Sequence, residues 1–326
     1  LKAIVYHSYG SPDVLKLEDV EKPTPSDDEL LIRVRAASVN PLDFHFMRGH
    51  TFKMPGQKSP KYKRMGVDVA GEVEAVGKNI TQFKVGDAVF GGCGRKGWAN
   101  GIGSFAEYVC GLEDKLVLMP SNLSFAQASS LPIAACTALQ GLRDKGRIQQ
   151  GQKVLIEGAS GGVGTFAVQI AKAFGAEVTA VASTKKLETA RLIGADHLID
   201  YTEQDFTRAS QRYDLIVGAN SHHTIFECRR VLTPNGRYVE TGGAFNITKI
   251  LYAVLLGPLL SRTGGKKTSL FIANINQEDL QFLASLAQTG KIIPVLDRSY
   301  PLRETADAIR YLEEGHACGK IVLTVD

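Results

Sequence analysis

The sequence predicts an α/β protein in which a β-rich unit is followed by a doubly wound parallel sheet. Three observations carry that expectation. Up to about residue 120, short apolar or alternating runs are separated by Gly, Pro, Asp and Asn and show little helical period. From Gly151 onward, strand-like runs alternate with helical stretches, the pattern of βαβ units. Between the first of those strands and the first of those helices stands a glycine-rich loop, Gly158-Ala159-Ser160-Gly161-Gly162-Val163-Gly164.

Taken in order, LKAIVYH, LLIRVRAASV, AGEVEAVG, DAVFGG and FAEYVCG read as the strands of a barrel or sandwich. Near Leu123 the texture turns helical. In SNLSFAQASSLPIAACTALQGLRD, Ser124 with Gln127 three residues on forms a capping box, and Pro132 breaks the run. The alternating region then gives the strand KVLIEGA, the helix GTFAVQIAKAFG, the strand EVTAVAS and the helix KKLETARLIGA. It continues with the strands HLIDY and YDLIVGA, the helix HHTIFECRRVL and the strand GRYVETGG. From about Glu278 a helix, EDLQFLASLAQTG, and a closing strand, GKIVLTV, make a tail that returns to the first unit. The expected division is 1–122 with 276–326 as one domain and 123–275 as the other.

Composition narrows the class. At about 150 residues per domain, the 326 residues suit two domains. The balance of 38 basic against 34 acidic residues is too even and too dispersed to argue for nucleic acid. Five scattered cysteines (Cys93, Cys110, Cys136, Cys228, Cys318) contain no CxxC pair, so neither a disulfide framework nor a zinc finger is expected. The first residues read directly as a strand, without the charged and apolar regions of a leader, so a soluble cytoplasmic protein is expected. The apolar run ILYAVLLGPLL (250–260) is too short to span a bilayer, which takes about 20 residues. It reads as a buried or subunit-facing segment, with contact at a membrane surface as the alternative.

The glycine loop matches G-x-G-x-x-G through Gly161 and Gly164, with Ala159 in the first place. In that reading Gly161 lets backbone approach a pyrophosphate and Gly164 lets the helix pack on the strand. The helix N-terminus, with Ser160, Gly162 and Val163, then offers free N–H groups to phosphate. The same residues also satisfy G-x-S-x-G, the nucleophile elbow of a hydrolase, through Gly158, Ser160 and Gly162. A hydrolase also needs Asp and then His downstream, and His222, His223 and His316 stand in no recognisable setting for that role. The dinucleotide reading is therefore preferred. An acid at the end of the second strand would hold the ribose hydroxyl of NAD. That place holds Ala182-Ser183, followed by Lys185 and Lys186. Lysines near a helix N-terminus oppose its dipole, so Ser183 and Lys186 point to a 2′-phosphate and to NADPH. A solvated surface pair is the bland alternative.

Together these residues resemble the medium-chain dehydrogenase/reductase superfamily, in its zinc-free quinone oxidoreductase branch. The resemblance rests on ASVNPLDF (37–44), GVDVAGEVEAVG (66–77), KVGDAVFG (84–91), FAEYV (105–109) and LPIAACTALQGL (131–142). EGASGGVG (157–164), GADHLIDY (194–201) and GKIVL (319–323) complete it, so it spans essentially the whole chain. It implies a GroES-like catalytic domain plus a Rossmann cofactor domain, and a homodimer. Where zinc-dependent relatives carry Cys, His and Cys, this chain matches Asn40, Val67 and Ile133, with Cys136 three positions off. Zinc needs three protein ligands and an open position, so no metal is expected.

The resemblance further implies that Asn40 donates a hydrogen bond on the acceptor side and that Asp43 orients it; turn chemistry is the structural alternative. It places Thr137 and Val163 at the nicotinamide, Gly242 and Gly243 near its ribose, and Lys186 and Tyr201 at the adenosine 2′-phosphate. A packed aromatic is the commoner fate of a tyrosine such as Tyr201. Lys320 joins the cofactor set. The loop FHFMRGHTFKMPGQ (44–57) would lie over the substrate mouth, with His45 and His50 as packing or surface groups. The implied reaction is hydride transfer from NADPH to a quinone or an α,β-unsaturated ketone or aldehyde, whose product anion is already stabilised. The carbon proton is expected from solvent. A zinc-free alcohol or aldehyde dehydrogenase and a weakly catalytic NADPH-binding sensor are the alternatives.

Overall fold

The computed structural model describes residues 1–50, 59–60, 63–93, 103–241 and 265–325. These fall into two compact units, Leu1–Ile133 with Ile275–Thr289 and Leu296–Asp326, and Ala134–Asn274 with Gly290–Val295.

The first unit is built on antiparallel pairing. Its strands are β1 (Lys2–Val5), β2 (Lys16–Asp19), β3 (Glu29–Val39), β4 (Asp68–Val76), β5 (Ala88–Gly92), β6 (Tyr108–Leu112) and β7 (Leu116–Leu118). β3 is central, antiparallel to β4 on one side and to β6 and the C-terminal strand Lys320–Thr324 on the other. Its eleven residues are buried at almost every position, which explains its near-continuous apolar run. Leu30, Ile32, Val34, Val69, Val89, Phe105, Leu116 and Ile321 meet in one core. Each such side chain contributes about 1.5–3 kcal/mol by leaving water.

A helix interrupts this β texture. α1 (Pro41–Arg48) takes residues for which the sequence reading held a turn as the alternative, and the first part of the expected 44–57 loop. Pro41 opens it with a preset φ, Asp43 accepts the Asn40 backbone N–H at 2.7 Å, and Gly49 closes it in the left-handed region at φ 73°. Phe46 and Met47 are buried, and His45 lies inside the helix rather than on a loop. Residues 51–57 of the expected loop lie outside the described residues.

The helices α2 (Phe125–Ser129) and α3 (Pro132–Gln140) follow as expected, with the Ser124–Gln127 capping box formed and Pro132 at the break. In the second unit, β8 (Lys153–Glu157), α4 (Gly162–Ala173), β9 (Glu177–Ala182), α5 (Leu187–Leu192) and β10 (His197–Asp200) alternate. β11 (Tyr213–Gly218), α6 (Ile225–Arg230), β12 (Leu232–Thr241) and β13 (Lys267–Phe271) complete it. All six strands are parallel in the order β10-β9-β8-β11-β12-β13. Numbered within the unit this is 3-2-1-4-5-6, the doubly wound order whose direction reverses beside β8. The expected α/β class is thus the observed one.

Two further differences concern the tail. Besides α7 (Gln277–Gln288) and the closing strand, it holds β14 (Leu296–Pro301) and α8 (Thr305–Glu313). α8 buries Thr305, Ala308 and Ile309, with Ala306, Tyr311 and Leu312 packed half-buried against the same core. The closing strand, β15 (Lys320–Thr324), pairs parallel with β14 and antiparallel with β3.

Candidate functional site

The glycine loop sits where the sheet order reverses, at the C-terminal end of β8. Gly158 adopts φ +77°, and a Cβ there would meet the Asn220 backbone N at 2.8 Å. At Gly164 a Cβ would lie 2.0 Å from the Gly158 carbonyl oxygen, so this glycine is required for helix–strand packing. Gly161 differs. A Cβ there would meet only the Gly158 oxygen at 3.5 Å, so the space in front of it is open. Gly161, Gly162 and Val163 are half-buried at the start of α4, whose first N–H groups have no intrahelical acceptor. Ser160 is buried beside them. A cradle with one glycine facing open space and a helix N-terminus behind it fits a dinucleotide pyrophosphate.

The next two strands bring a second group together. Ser183 follows β9, and Lys186 donates its backbone N–H to the Ser183 carbonyl at 2.8 Å. Tyr201, just past β10, donates its backbone N–H to the Ala182 carbonyl at 3.2 Å. The sequence reading began a helix at Lys185, but Thr184–Lys186 is a single 3-10 turn and α5 starts at Leu187. Tyr201 is 50% exposed, so it is not a packed core aromatic. Thr137 is half-buried in α3. Gly242 and Gly243 lie outside the described residues, as does the 250–260 segment.

A buried carboxylate that the sequence reading passed over stands behind the loop. Glu157, the last residue of β8, accepts from the Ser221 hydroxyl at 2.7 Å and the His222 backbone N–H at 3.0 Å. Its Oε1 also lies 2.8 Å from His223 Nδ1, while His223 Nε2 is 3.4 Å from Asp205 Oδ1. Both ring nitrogens of His223 therefore face carboxylates, which takes this histidine from the candidates for a hydrolase base. A lone acid ending the apolar strand KVLIE was the signal available.

In the first unit, Asn40, Asp43, Ser38, Asp68 and Lys320 form a buried polar cluster. Strand register assembles it. Ile321 pairs with Val39, which sets Lys320 beside Asn40, and Ser38 pairs with Asp68. Asn40 Nδ2 donates to Asp68 Oδ2 at 2.9 Å and to the Ser38 carbonyl at 3.2 Å. Lys320 Nζ donates to Asn40 Oδ1 at 2.6 Å and stands 3.8 Å from Asp68 Oδ2. Asp68 also accepts the Ser38 hydroxyl at 2.7 Å and the Ile133 backbone N–H at 3.0 Å. Asp43 accepts the Gly66 N–H at 3.2 Å besides that of Asn40, so it acts on the Asn40 backbone and not on its carboxamide.

Burial governs the charges here. It pushes the Asp43 carboxyl up to about 7, with the neighbouring Asp68 charge adding to the rise. It raises Asp68 as well, against the pull of Lys320, and lowers the Lys320 ammonium. Asp68 was not singled out from the sequence, although a single acid in the buried run GVDVAG was a legible signal. Val67 and Ile133, at two of the three positions matching zinc ligands, carry hydrocarbon side chains. The donor set thus does not fit the metal. Among the described residues no group of three or more His, Cys, Asp or Glu converges to hold an ion. No helix among them is long and apolar enough to cross a membrane.

Comparisons with known proteins agree with this architecture. An alcohol dehydrogenase GroES-like domain model matches residues 26–121, and a zinc-binding dehydrogenase model matches 193–323. The chain is 37% identical to a 2-methylene-furan-3-one reductase of Solanum lycopersicum, over 99% of this chain and 79% of that protein. It is 36% identical to the chloroplastic NADPH-dependent alkenal/one oxidoreductase of Arabidopsis thaliana, with the same coverage. A quinone oxidoreductase structure from Coxiella burnetii superposes with a TM-score of 0.86 at 30% identity, covering 100% of this chain and 99% of that one. On the order of its motifs, the doubly wound sheet and these relatives, the chain belongs to the medium-chain dehydrogenase/reductase superfamily, in its quinone oxidoreductase branch.

Proposed function

We propose that this chain is an NADPH-dependent oxidoreductase that reduces quinones or α,β-unsaturated ketones and aldehydes without zinc. The observation that carries the reading is the glycine cradle at the switch point of the sheet, with Lys186 following and no acid at the end of the next strand. Relatives named for NADPH-dependent alkenal/one and quinone chemistry support it.

When bound, the nicotinamide cofactor supplies the hydride. The chain's own residues bind, orient and stabilise. Gly161, Gly162 and Val163 would receive the pyrophosphate on backbone N–H groups, with Ser160 behind them. Ser183, Lys186 and Tyr201 would hold the 2′-phosphate, Lys186 as its charge partner. Thr137, Val163, Gly242 and Gly243 are assigned to the nicotinamide end. On the acceptor side Asn40 is the donor to the oxygen that gains charge, Asp43 fixes its backbone, and Lys320, assigned with the cofactor residues, stands beside it. An acceptor whose product is a quinolate or enolate needs no Lewis acid, in keeping with Val67 and Ile133 where ligands would stand. The carbon proton comes from solvent, so deuterium from heavy water should appear at the α-carbon of a reduced enone.

The test follows the absorbance of NADPH and NADH with a planar quinone and a short enone as separate acceptors, with a chelator as control. NADPH consumption above that of NADH and indifferent to chelator is the expected result. Tight NADPH binding with no acceptor reduced would replace this reading with that of a sensor. A cytosolic homodimer is part of the proposal; sedimentation equilibrium and cell fractionation test it.

A further inference from the structure

The positions matching zinc ligands in the metal-dependent relatives are joined here by a carboxylate. Asp68 accepts from the Asn40 side chain at 2.9 Å through Oδ2 and from the Ile133 backbone N–H at 3.0 Å through Oδ1, and it follows Val67 directly. The Lys320 ammonium donates to Asn40 Oδ1 at 2.6 Å and lies 3.8 Å from Asp68 Oδ2, so the Asn40 carboxamide bridges a buried ion pair. Both charged side chains are almost wholly buried, at 4% and 0% exposure. A buried pair of this kind is weak evidence for stability, because desolvation offsets much of its attraction.

Its geometry has a definite consequence for Asn40. A carboxamide presents an acceptor on one side and two donors on the other. Here the acceptor meets an ammonium and a donor meets a carboxylate. Rotating the amide by half a turn would set Nδ2 against Lys320 and Oδ1 against Asp68, two repulsive contacts in a site of low dielectric. One orientation is therefore enforced by charge at both ends. The ammonium on Oδ1 also draws electron density from the amide and makes its N–H groups stronger donors. Of the two donated bonds, the one to the neutral Ser38 carbonyl, at 3.2 Å, is the longer and the one an acceptor oxygen can replace.

We infer that Asp68 and Lys320 are positioning residues of the acceptor site, fixing and polarising the Asn40 carboxamide at the place where metal-dependent relatives hold zinc. The inference deepens the proposed reductase reading and rests on it for the role of Asn40. It does not need that reading for the orientation of the amide.

The experiment uses the full chain with K320M, D68N, the double variant D68N/K320M and K320R. Turnover with a quinone and an enone is measured alongside NADPH affinity, thermal melting and the side-chain amide signals of ¹⁵N-asparagine-labelled protein. The Asn40 signal is identified by its loss in N40S. Either single variant should lower kcat by about 10- to 100-fold, the loss typical when a supporting partner is removed, with NADPH affinity unchanged. The double variant should regain melting temperature without regaining kcat, and K320R should regain part of it. In K320M the Asn40 amide signals should move and exchange faster with solvent. A double variant that recovers kcat together with stability would make the pair merely structural and overturn the inference. Unmoved Asn40 amide signals in K320M would overturn it as well. Because that signal needs no turnover, it decides the inference even if the wild type reduces neither acceptor, a result that instead refutes the reductase reading.

Discussion

The glycine cradle and the Asn40 cluster solve the problem of building a site in opposite ways. The cradle is made by seven consecutive residues, and its work is done by backbone: a left-handed Gly158, a contact at Gly164 that admits no side chain, and open space before Gly161. The Asn40 cluster is made by side chains 28 and 280 residues apart, brought together by the register of β4 and β15 on β3. A local site depends on conformation and a long-range one on charge balance, so the two should fail differently.

The largest effect is expected in the cluster. Removing one charge of the buried pair with K320M leaves Asp68 uncompensated and should cost about 3–5 kcal/mol, as a urea titration would read. An unchanged midpoint would mean that the cluster repacks like an ordinary surface site. In the cradle, two glycines three residues apart should separate stability from binding. G164A forces a Cβ onto the Gly158 carbonyl and should lose about 3 kcal/mol. G161A should stay within about 0.5 kcal/mol of wild type yet raise the NADPH dissociation constant about tenfold, a loss of roughly 1.4 kcal/mol. Equal stability losses in the two would erase the distinction drawn between them.

Charge acts in the cofactor unit too, but at its surface. K186A should weaken NADPH about tenfold, as expected for one charge-assisted contact, leave NADH unchanged and leave the melting temperature alone. A parallel loss for NADH would take Lys186 away from the 2′-phosphate. The smallest difference concerns Asp43. Burial raises its carboxyl from the usual 3.8 to about 7, so between those values the folded protein binds more protons than the unfolded chain. Its contribution to stability is complete at the acid end of that window and is lost as the pH rises through about 7. Urea midpoints measured from pH 5 to 8 should therefore fall more steeply for wild type than for D43N. Identical slopes would mean that Asp43 does not carry the proton.

The contrast also explains what could be read from the chain. KVLIEGASGGVG states its own conformation, because Gly158 and Gly164 are needed by backbone geometry within one turn. The capping box at Ser124 and Gln127 is likewise local, and both were legible. α1 was misread because Asn-Pro and Asp suit a turn as well as a helix start, and Gly49 alone marks where it ends. Asp68 and Glu157 were legible only as acids in apolar runs, since their partners come from distant parts of the chain.

By itself the sequence determined the α/β class, the alternation of strands and helices and the glycine cradle. Each is a matter of period or local backbone preference. Tertiary structure alone decided that Lys320 meets Asn40, that Asp68 joins Asn40 to Ile133, and that His223 is held between Glu157 and Asp205. The physical reason is register: pairing β15 and β4 on β3 selects which distant charges share one buried volume, and no local property of the chain encodes that choice.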